Sequence, residues 1–185
     1  MTSIALIGAG GHGKVAAEIA KLNGYEKIVF FDDKYPQLNK VYSWPVEGLT
    51  KHLKDRLNDF DEVIVTIGDN VLRSNLAEEF QNIAKTARLI HPSAVISDSA
   101  NLHSGTIVMA NAVVNPYATI EANVIVNTSA IIEHDCLIGE GCHISPGAAL
   151  AGGVTVGSKS WVGLGAKVIE GITIGDEVII GAGSV

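Results

Sequence analysis

The sequence predicts a small α/β domain over residues 1–92 followed by a parallel β-helix over residues 93–185, and three observations carry this. An aliphatic residue recurs every six positions from Ile96 through Leu102, Val108 and Val114 to Ile180, without a miss. Four positions after each aliphatic stands a small or modest residue, among them Ala100, Ala112, Cys136, Cys142, Ala148 and Ser160. The first 24 residues read instead as apolar strand, glycine turn and helix.

The α/β part begins with Ser3 to Ile7, a short apolar strand that runs into Gly8-Ala9-Gly10-Gly11-His12-Gly13-Lys14. A helical pattern follows from Val15 to Asn23, and Gly24 ends it. Glycines between a strand and a helix let backbone N–H groups approach a phosphate where the helix dipole favours negative charge. The same glycines also serve a tight strand-to-helix turn with no ligand at all. Lys27 to Phe31 reads as the second strand, ending at Asp32-Asp33-Lys34. The spacing from Gly13 to Asp32 fits an acidic group placed for a ribose hydroxyl. Only half of a doubly wound domain is present, so a mononucleotide suits it better than a dinucleotide.

Tyr35 to Val46 reads as a loop, Glu47 to Asn58 as a helix, and Glu62 to Thr66 as a third strand ending in Ile67-Gly68-Asp69-Asn70. Gly68 continues the rim at the carboxyl ends of the strands, where α/β proteins bind ligands, and Asp69 or Asn70 caps the next helix. Ala87 to Ile90 is a last strand, and His91-Pro92-Ser93 is the hinge into the second domain.

A strict period of six belongs neither to a helix nor to a hairpin sheet, and points to short strands wound into a stacked coil. Three hexads close one triangular turn, so residues eighteen apart stack at about the 4.8 Å strand spacing. The position three after the aliphatic is often Gly, Asn or Asp, as at Gly105, Asn111, Asn123, Asp135 and Gly141, and these types tolerate positive φ at corners. No long insertion interrupts the coil, so a pocket needs a second surface, from the first domain or a neighbouring subunit.

A hydrophobic content of 47% suffices for buried cores, and a net charge of −7 argues against a nucleic-acid partner. No apolar run reaches transmembrane length and the N-terminus lacks a signal-peptide pattern, so the expectation is a soluble, cytoplasmic protein. Cys136 and Cys142 occupy the small inward slot and read as free, reduced thiols. No metal site is expected.

Polar groups crowd the coil from Asn127 to Cys136, where His134 should point outward with Pro116 and Gly152 stacked on either side. Imidazole, with an ordinary pKa of about 6.5, suits the removal of a proton from an attacking amine. A neighbouring carboxylate would fix its tautomer. Asp135 sits at a corner, where strand alternation breaks and the two side chains can meet; the competing reading is an aspartate chosen for its turn conformation.

The turn Gly10-Gly11-His12, the pair Asp32-Asp33, the segment Ile67-Gly68-Asp69-Asn70, Asn127-Thr128-Ser129 and Glu133-His134-Asp135 together resemble the bacterial hexapeptide-repeat sugar acetyltransferases. That family includes bacillosamine-pathway N-acetyltransferases and sialic acid O-acetyltransferases. The resemblance implies a Rossmann-like nucleotide-binding domain followed by a left-handed parallel β-helix, assembled as a homotrimer with active sites between subunits. It implies acetylation by acetyl-CoA of the 4-amino group of a UDP-linked amino-deoxysugar, for bacterial surface glycan synthesis. It gives His134 the role of general base and Asp135 that of its orienter, with Asn127 beside His134. His143 would contact the thioester end of acetyl-CoA, with Leu164 and Ala182 along the CoA track. The nucleotide-sugar would lie on Gly10, Gly11, His12, Asp32, Asp33 and Gly68.

Three other readings compete. A sialic acid O-acetyltransferase would keep the same base and CoA track. A structural β-helix acting as an interaction module would leave His134 incidental. A γ-class carbonic anhydrase needs three converging zinc-binding histidines, and the spacing of His103, His134 and His143 does not provide the pattern of that family.

Overall fold

The computed structural model describes residues 2–185. Two compact units make up the chain, the first ending at Leu89 and the second starting at Ile90.

In the first unit β1 (Ser3–Ile7) lies at the centre of a parallel three-stranded sheet between β2 (Lys27–Phe31) and β5 (Glu62–Val65). All five residues of β1 are buried, as expected for a parallel strand covered on both faces. Helix α1 (Gly11–Leu22) buries Ala16, Ala17, Ile19 and Ala20, and α2 (Asn70–Phe80) buries Arg73, Ser74, Ala77 and Phe80. The chain leaves β1 for β2 on one side and reaches β5 on the other. The topological switch point therefore falls at the carboxyl end of β1, where the glycine turn begins.

Residues 35–46, expected as a plain loop, contain an antiparallel pair, β3 (Lys40–Val41) with β4 (Trp44–Pro45). The helix expected from Glu47 starts later, as a 3₁₀ helix over Thr50–Asp59. The cause is visible at the sheet edge: Val46 bridges Phe30, Glu47 N–H donates to Phe30 O at 3.0 Å, and Asp32 N–H donates to Gly48 O at 3.0 Å. Those residues extend the sheet and cannot also begin a helix. The strand expected at Ala87–Ile90 is divided likewise. Thr86 and Ala87 pair with Val63 on the α/β sheet, and the pairing strand that follows is Leu89–Ile90, in a sheet of the coil. The chain passes from the first compact unit to the second at Leu89 and Ile90.

The second unit is a parallel β-solenoid whose strands, two residues each, form three sheets of five, five and six strands. Every coil pairing has the expected register of eighteen, as in Val113↔Ile131, Thr119↔Leu137 and Ile125↔His143. The hexad aliphatics fill the interior together with the small slot, and Val108, Ile120, Ile132, Ala130 and Ala148 are all fully buried. Each such aliphatic contributes about 1.5–3 kcal/mol relative to exposure, which makes the core the dominant stabilising term.

Every sixth residue from Gly105 to Gly183 has positive φ, including Tyr117, Ser129, Lys159 and Glu177, which are not the Gly, Asn or Asp that adopt it most readily. From Asn123 onward the left-handed conformation aims each corner N–H at a corner carbonyl of the preceding coil. Asn123 donates to Ser104 O at 3.0 Å, Lys159 to Glu140 O at 2.7 Å and Glu177 to Ser158 O at 2.8 Å. These bonds offset the strain of about 1–2 kcal/mol that an L-residue meets there. Among the described residues no helix is long and apolar enough to cross a membrane.

Candidate active site

The first unit gathers its predicted site residues on one rim. Gly8 turns at φ +104°, and its N–H donates to Phe31 O at 2.9 Å. A Cβ on Gly8 would stand 2.7 Å from Ile67 Cγ1, and one on Gly13 would stand 2.2 Å from Gly8 O. These two glycines are demanded by the turn itself. Gly10 and Gly11 have nothing within 4 Å of a would-be Cβ, so they face open space where α1 begins, and no side chain caps that helix. His12 follows, half-buried, in the first turn.

Asp32 and Asp33 reach this rim as acceptors of backbone bonds. Asp32 accepts from Ala9 N–H at 2.8 Å and Lys34 N–H at 2.9 Å, so it ties the glycine turn to the end of β2. Asp33 accepts from Thr50 N–H at 3.0 Å. A carboxylate has about four lone-pair sites, so each retains capacity for a ligand hydroxyl beside this backbone duty. Gly68 is exposed, and Asp69 caps α2 through Leu72 N–H at 2.8 Å. Sequence reasoning left Arg73 without a role. It is fully buried, and its guanidinium donates to Ile67 O, Gly68 O and Asn70 Oδ1 at 3.0, 3.1 and 2.8 Å, fixing the loop that carries Gly68.

On the coil His134 points outward as expected, and its Nδ1 lies 2.8 Å from Asp135 Oδ2 with both side chains 62% exposed. A carboxylate only accepts, so Nδ1 carries the shared proton and Nε2 is the basic nitrogen of the neutral ring. Asp135 also has φ +60°, so one residue serves both as corner and as partner of the imidazole. The backbone of this corner is held from both sides: Gly153 N–H donates to His134 O at 2.9 Å and Asp135 N–H donates to Pro116 O at 3.1 Å.

Asn127 was expected beside His134, but within this chain its partner is His143, with Nδ2 3.0 Å from Nε2. The register explains the difference. Asn127 follows strand Ile125–Val126 and His134 follows strand Ile131–Ile132 of the next sheet, so the two stand at opposite edges of that face. His143 also stacks on Trp161, with centroids 5.6 Å apart and planes within 3°, and Trp161 Nε1–H donates to Ser145 Oγ at 2.6 Å. Trp161 and Ser145 were not singled out from sequence; their signal was the eighteen-residue offset from His143 and Asn127. Leu164 and Ala182, also eighteen apart, stand exposed on the corner that carries Asn127. A Cβ on neighbouring Gly163 would stand 2.6 Å from Ile180 O, so successive coils approach closely along that edge.

Cys136 and Cys142 are buried and free, and their thiols donate to Ala151 O at 3.2 Å and Gly157 O at 2.9 Å. Burial pushes the Cys136 thiol up, which keeps it protonated and unreactive.

An α/β unit with a glycine switch point, joined to a hexapeptide coil that displays a histidine–carboxylate corner, defines a two-domain transferase of the hexapeptide class. Comparison supports each half: residues 3–80 match the model of the PglD N-terminal domain, and residues 117–152 match that of the bacterial transferase hexapeptide (six repeats). The acetyltransferase domain of PglB from Neisseria gonorrhoeae FA1090, solved in complex with acetyl coenzyme A, is 41% identical with a TM-score of 0.94, over 99% of this chain and 89% of that one. PerB from Caulobacter crescentus, solved with CoA and GDP-perosamine, is 38% identical with a TM-score of 0.93, over 99% of this chain and 87% of that one. The UDP-N-acetylbacillosamine N-acetyltransferase of Bacillus subtilis (strain 168) is 38% identical over 116 residues, a match spanning 60% of this chain and only 52% of that protein. The chain belongs to the family of hexapeptide-repeat sugar acetyltransferases.

Proposed function

We propose that the protein transfers the acetyl group of acetyl-CoA to the 4-amino group of a nucleotide-linked amino-deoxysugar, with UDP as the nucleotide, in the synthesis of a bacterial surface glycan. The observation that carries the reading is the 2.8 Å contact between His134 Nδ1 and Asp135 Oδ2 on an exposed corner. In this mechanism Nε2 of His134 accepts a proton from the sugar amine as its nitrogen attacks the thioester carbonyl. The tetrahedral adduct then collapses, the C–S bond breaks, and the thiolate leaves as CoA once it takes up a proton. Asp135 holds the ring in the tautomer that presents Nε2 and favours the imidazolium that forms.

The same reading assigns the nucleotide-sugar to Gly10, Gly11, His12, Asp32, Asp33 and Gly68, with Asn127 on the substrate side, and acetyl-CoA to His143, Leu164 and Ala182. Residues 1–92 then form the nucleotide-sugar domain and 93–185 the acetyltransferase domain. A homotrimer in the cytoplasm completes it. Support for the trimer comes from the sheet that carries Val95, Val113, Ile131 and Ala149 outward, four aliphatic residues in a row ended by Lys167, between the His134 corner and the Asn127 corner. Apposition of such faces from two subunits would bring the base of one to the CoA corner of the other.

The test is acetyl transfer measured as CoA release, with UDP- and GDP-linked 4-amino-deoxysugars and free sialic acid as acceptors. Turnover with the UDP-sugar, at the amine, is the expected result. Exclusive turnover with the GDP-sugar would overturn the nucleotide assignment, and acetylation of sialic acid hydroxyls alone would overturn the acceptor class.

A further inference from the structure

We propose that Gly152 is a positioning residue for His134: by carrying no side chain it provides the seat that keeps the imidazole on the Asp135 carboxylate. The inference rests on the reading of His134 as general base.

Pro116, His134 and Gly152 occupy one corner column, each eighteen residues from the next. A Cβ built on Gly152 would stand 2.6 Å from both Cε1 and Nε2 of His134 and 3.2 Å from its Nδ1. Those are its three nearest neighbours, so the imidazole occupies the space where a side chain would begin. The backbone makes no such demand. Gly152 is absent from the positive-φ corner series, whose members here are Gly153 at φ +70° and Asp135 at φ +60°. Alanine could adopt the Gly152 backbone without strain. The ring accounts for the absence of a side chain.

The main chain of His134 cannot shift to relieve a clash, because its carbonyl accepts from Gly153 N–H at 2.9 Å and the next residue donates to Pro116 O at 3.1 Å. Only the side chain can yield. The ring is 62% exposed, so it has solvent to turn into, and turning would break the 2.8 Å contact with Asp135. An alanine at 152 would therefore leave base, carboxylate and fold in place and remove only their alignment. Once Nδ1 loses the carboxylate, nothing reserves the proton for it, and the basic electron pair at Nε2 is no longer guaranteed.

The experiment compares wild type, Gly152→Ala, Asp135→Asn and the double variant by steady-state kinetics, with His134 tautomer read by long-range ¹H–¹⁵N NMR on the full chain. Gly152→Ala should lower kcat about tenfold to a hundredfold, reaching at most the lower end of the about 10²–10⁴ of a general-base contribution, with acetyl-CoA KM unchanged. It should also raise the population of Nε2-protonated ring. The double variant should be no slower than the worse single variant. Multiplying losses, or a His134 tautomer that does not respond, would overturn the proposal. If Gly152→Ala does not fold, the His134→Ala, Gly152→Ala variant decides, because losing the ring removes the three atoms nearest the new methyl; instability there also overturns it. Full activity of His134→Ala alone would instead sink the reading of His134 as base, so the two failures are distinguishable.

Discussion

The imidazole of His134 and the carboxylate of Asp135 are adjacent in sequence yet meet at 2.8 Å, because the left-handed turn at Asp135 brings back together side chains that an extended strand would send to opposite faces. His134→Ala should lower kcat by about 10²–10⁴ with little change in nucleotide-sugar affinity. Asp135→Asn, which tolerates the same backbone, should lose less. Asp135→Ala should lose as much in rate as Asp135→Asn and also about 1–2 kcal/mol of stability from the corner. Steady-state kinetics paired with thermal melts separates the two effects. Equal melting temperatures for Asp135→Ala and Asp135→Asn would contradict the account of the corner.

The glycine turn supports a split between two of its members. Gly13→Ala places a methyl 2.2 Å from a backbone oxygen and should cost about 1–3 kcal/mol of stability. Gly10→Ala faces open space, should melt within about 0.5 kcal/mol of wild type, and should weaken UDP binding by crowding the phosphate. Calorimetry with UDP checks this, and unaltered UDP affinity in Gly10→Ala would remove Gly10 from the binding set.

The aliphatic face supports a test of assembly. Ile131 is 38% exposed in the single chain, and a charge placed there would be buried unpaired at a subunit contact. Ile131→Glu should therefore dissociate the proposed trimer and abolish transfer while each chain keeps its fold. Light scattering reads the mass, and a wild-type protein that is monomeric and fully active would refute the intersubunit site.

The two cysteines should resist alkylation in the native protein at pH 8 and react in denaturant. Burial holds the Cys136 thiol above its ordinary range, so at that pH it remains the unreactive neutral form. The associated stabilisation is present below the unfolded thiol's pKa and fades as pH rises through the raised value. Rapid labelling of Cys136 in native protein would show the inward slot to be open.

Much of this was legible because burial constrains sequence strongly. An interior three residues wide admits only an aliphatic and a small residue per hexad, so Ile96 to Ile180 announce the coil directly. The corners were only partly legible, since Ser129, Lys159 and Glu177 adopt positive φ where their N–H groups bond the coil beneath, Tyr117 adopts it at the same hexad position, and none of the four is a Gly, Asn or Asp. The delayed helix at Thr50 and the division of residues 86–90 depend on which sheet edge captures a segment, and local propensity does not encode that choice. Arg73 was passed over because a buried guanidinium is rare and its acceptors are backbone carbonyls with no sequence identity. The resemblance that set Asn127 beside His134 carries no register, and within this chain the register sets Asn127 against His143.

The eighteen-residue register also gives this coil a unit of permissible length change. Excising one hexad would rotate everything downstream by a third of a turn. Trp161 would leave the ladder of His143 for another face, and Leu164 and Ala182 would leave the edge that carries Asn127. Excising eighteen residues would instead shorten the prism by one layer and preserve every alignment above and below the cut. Gene segments that grow or shrink such a protein without loss of function should therefore do so in multiples of fifty-four nucleotides.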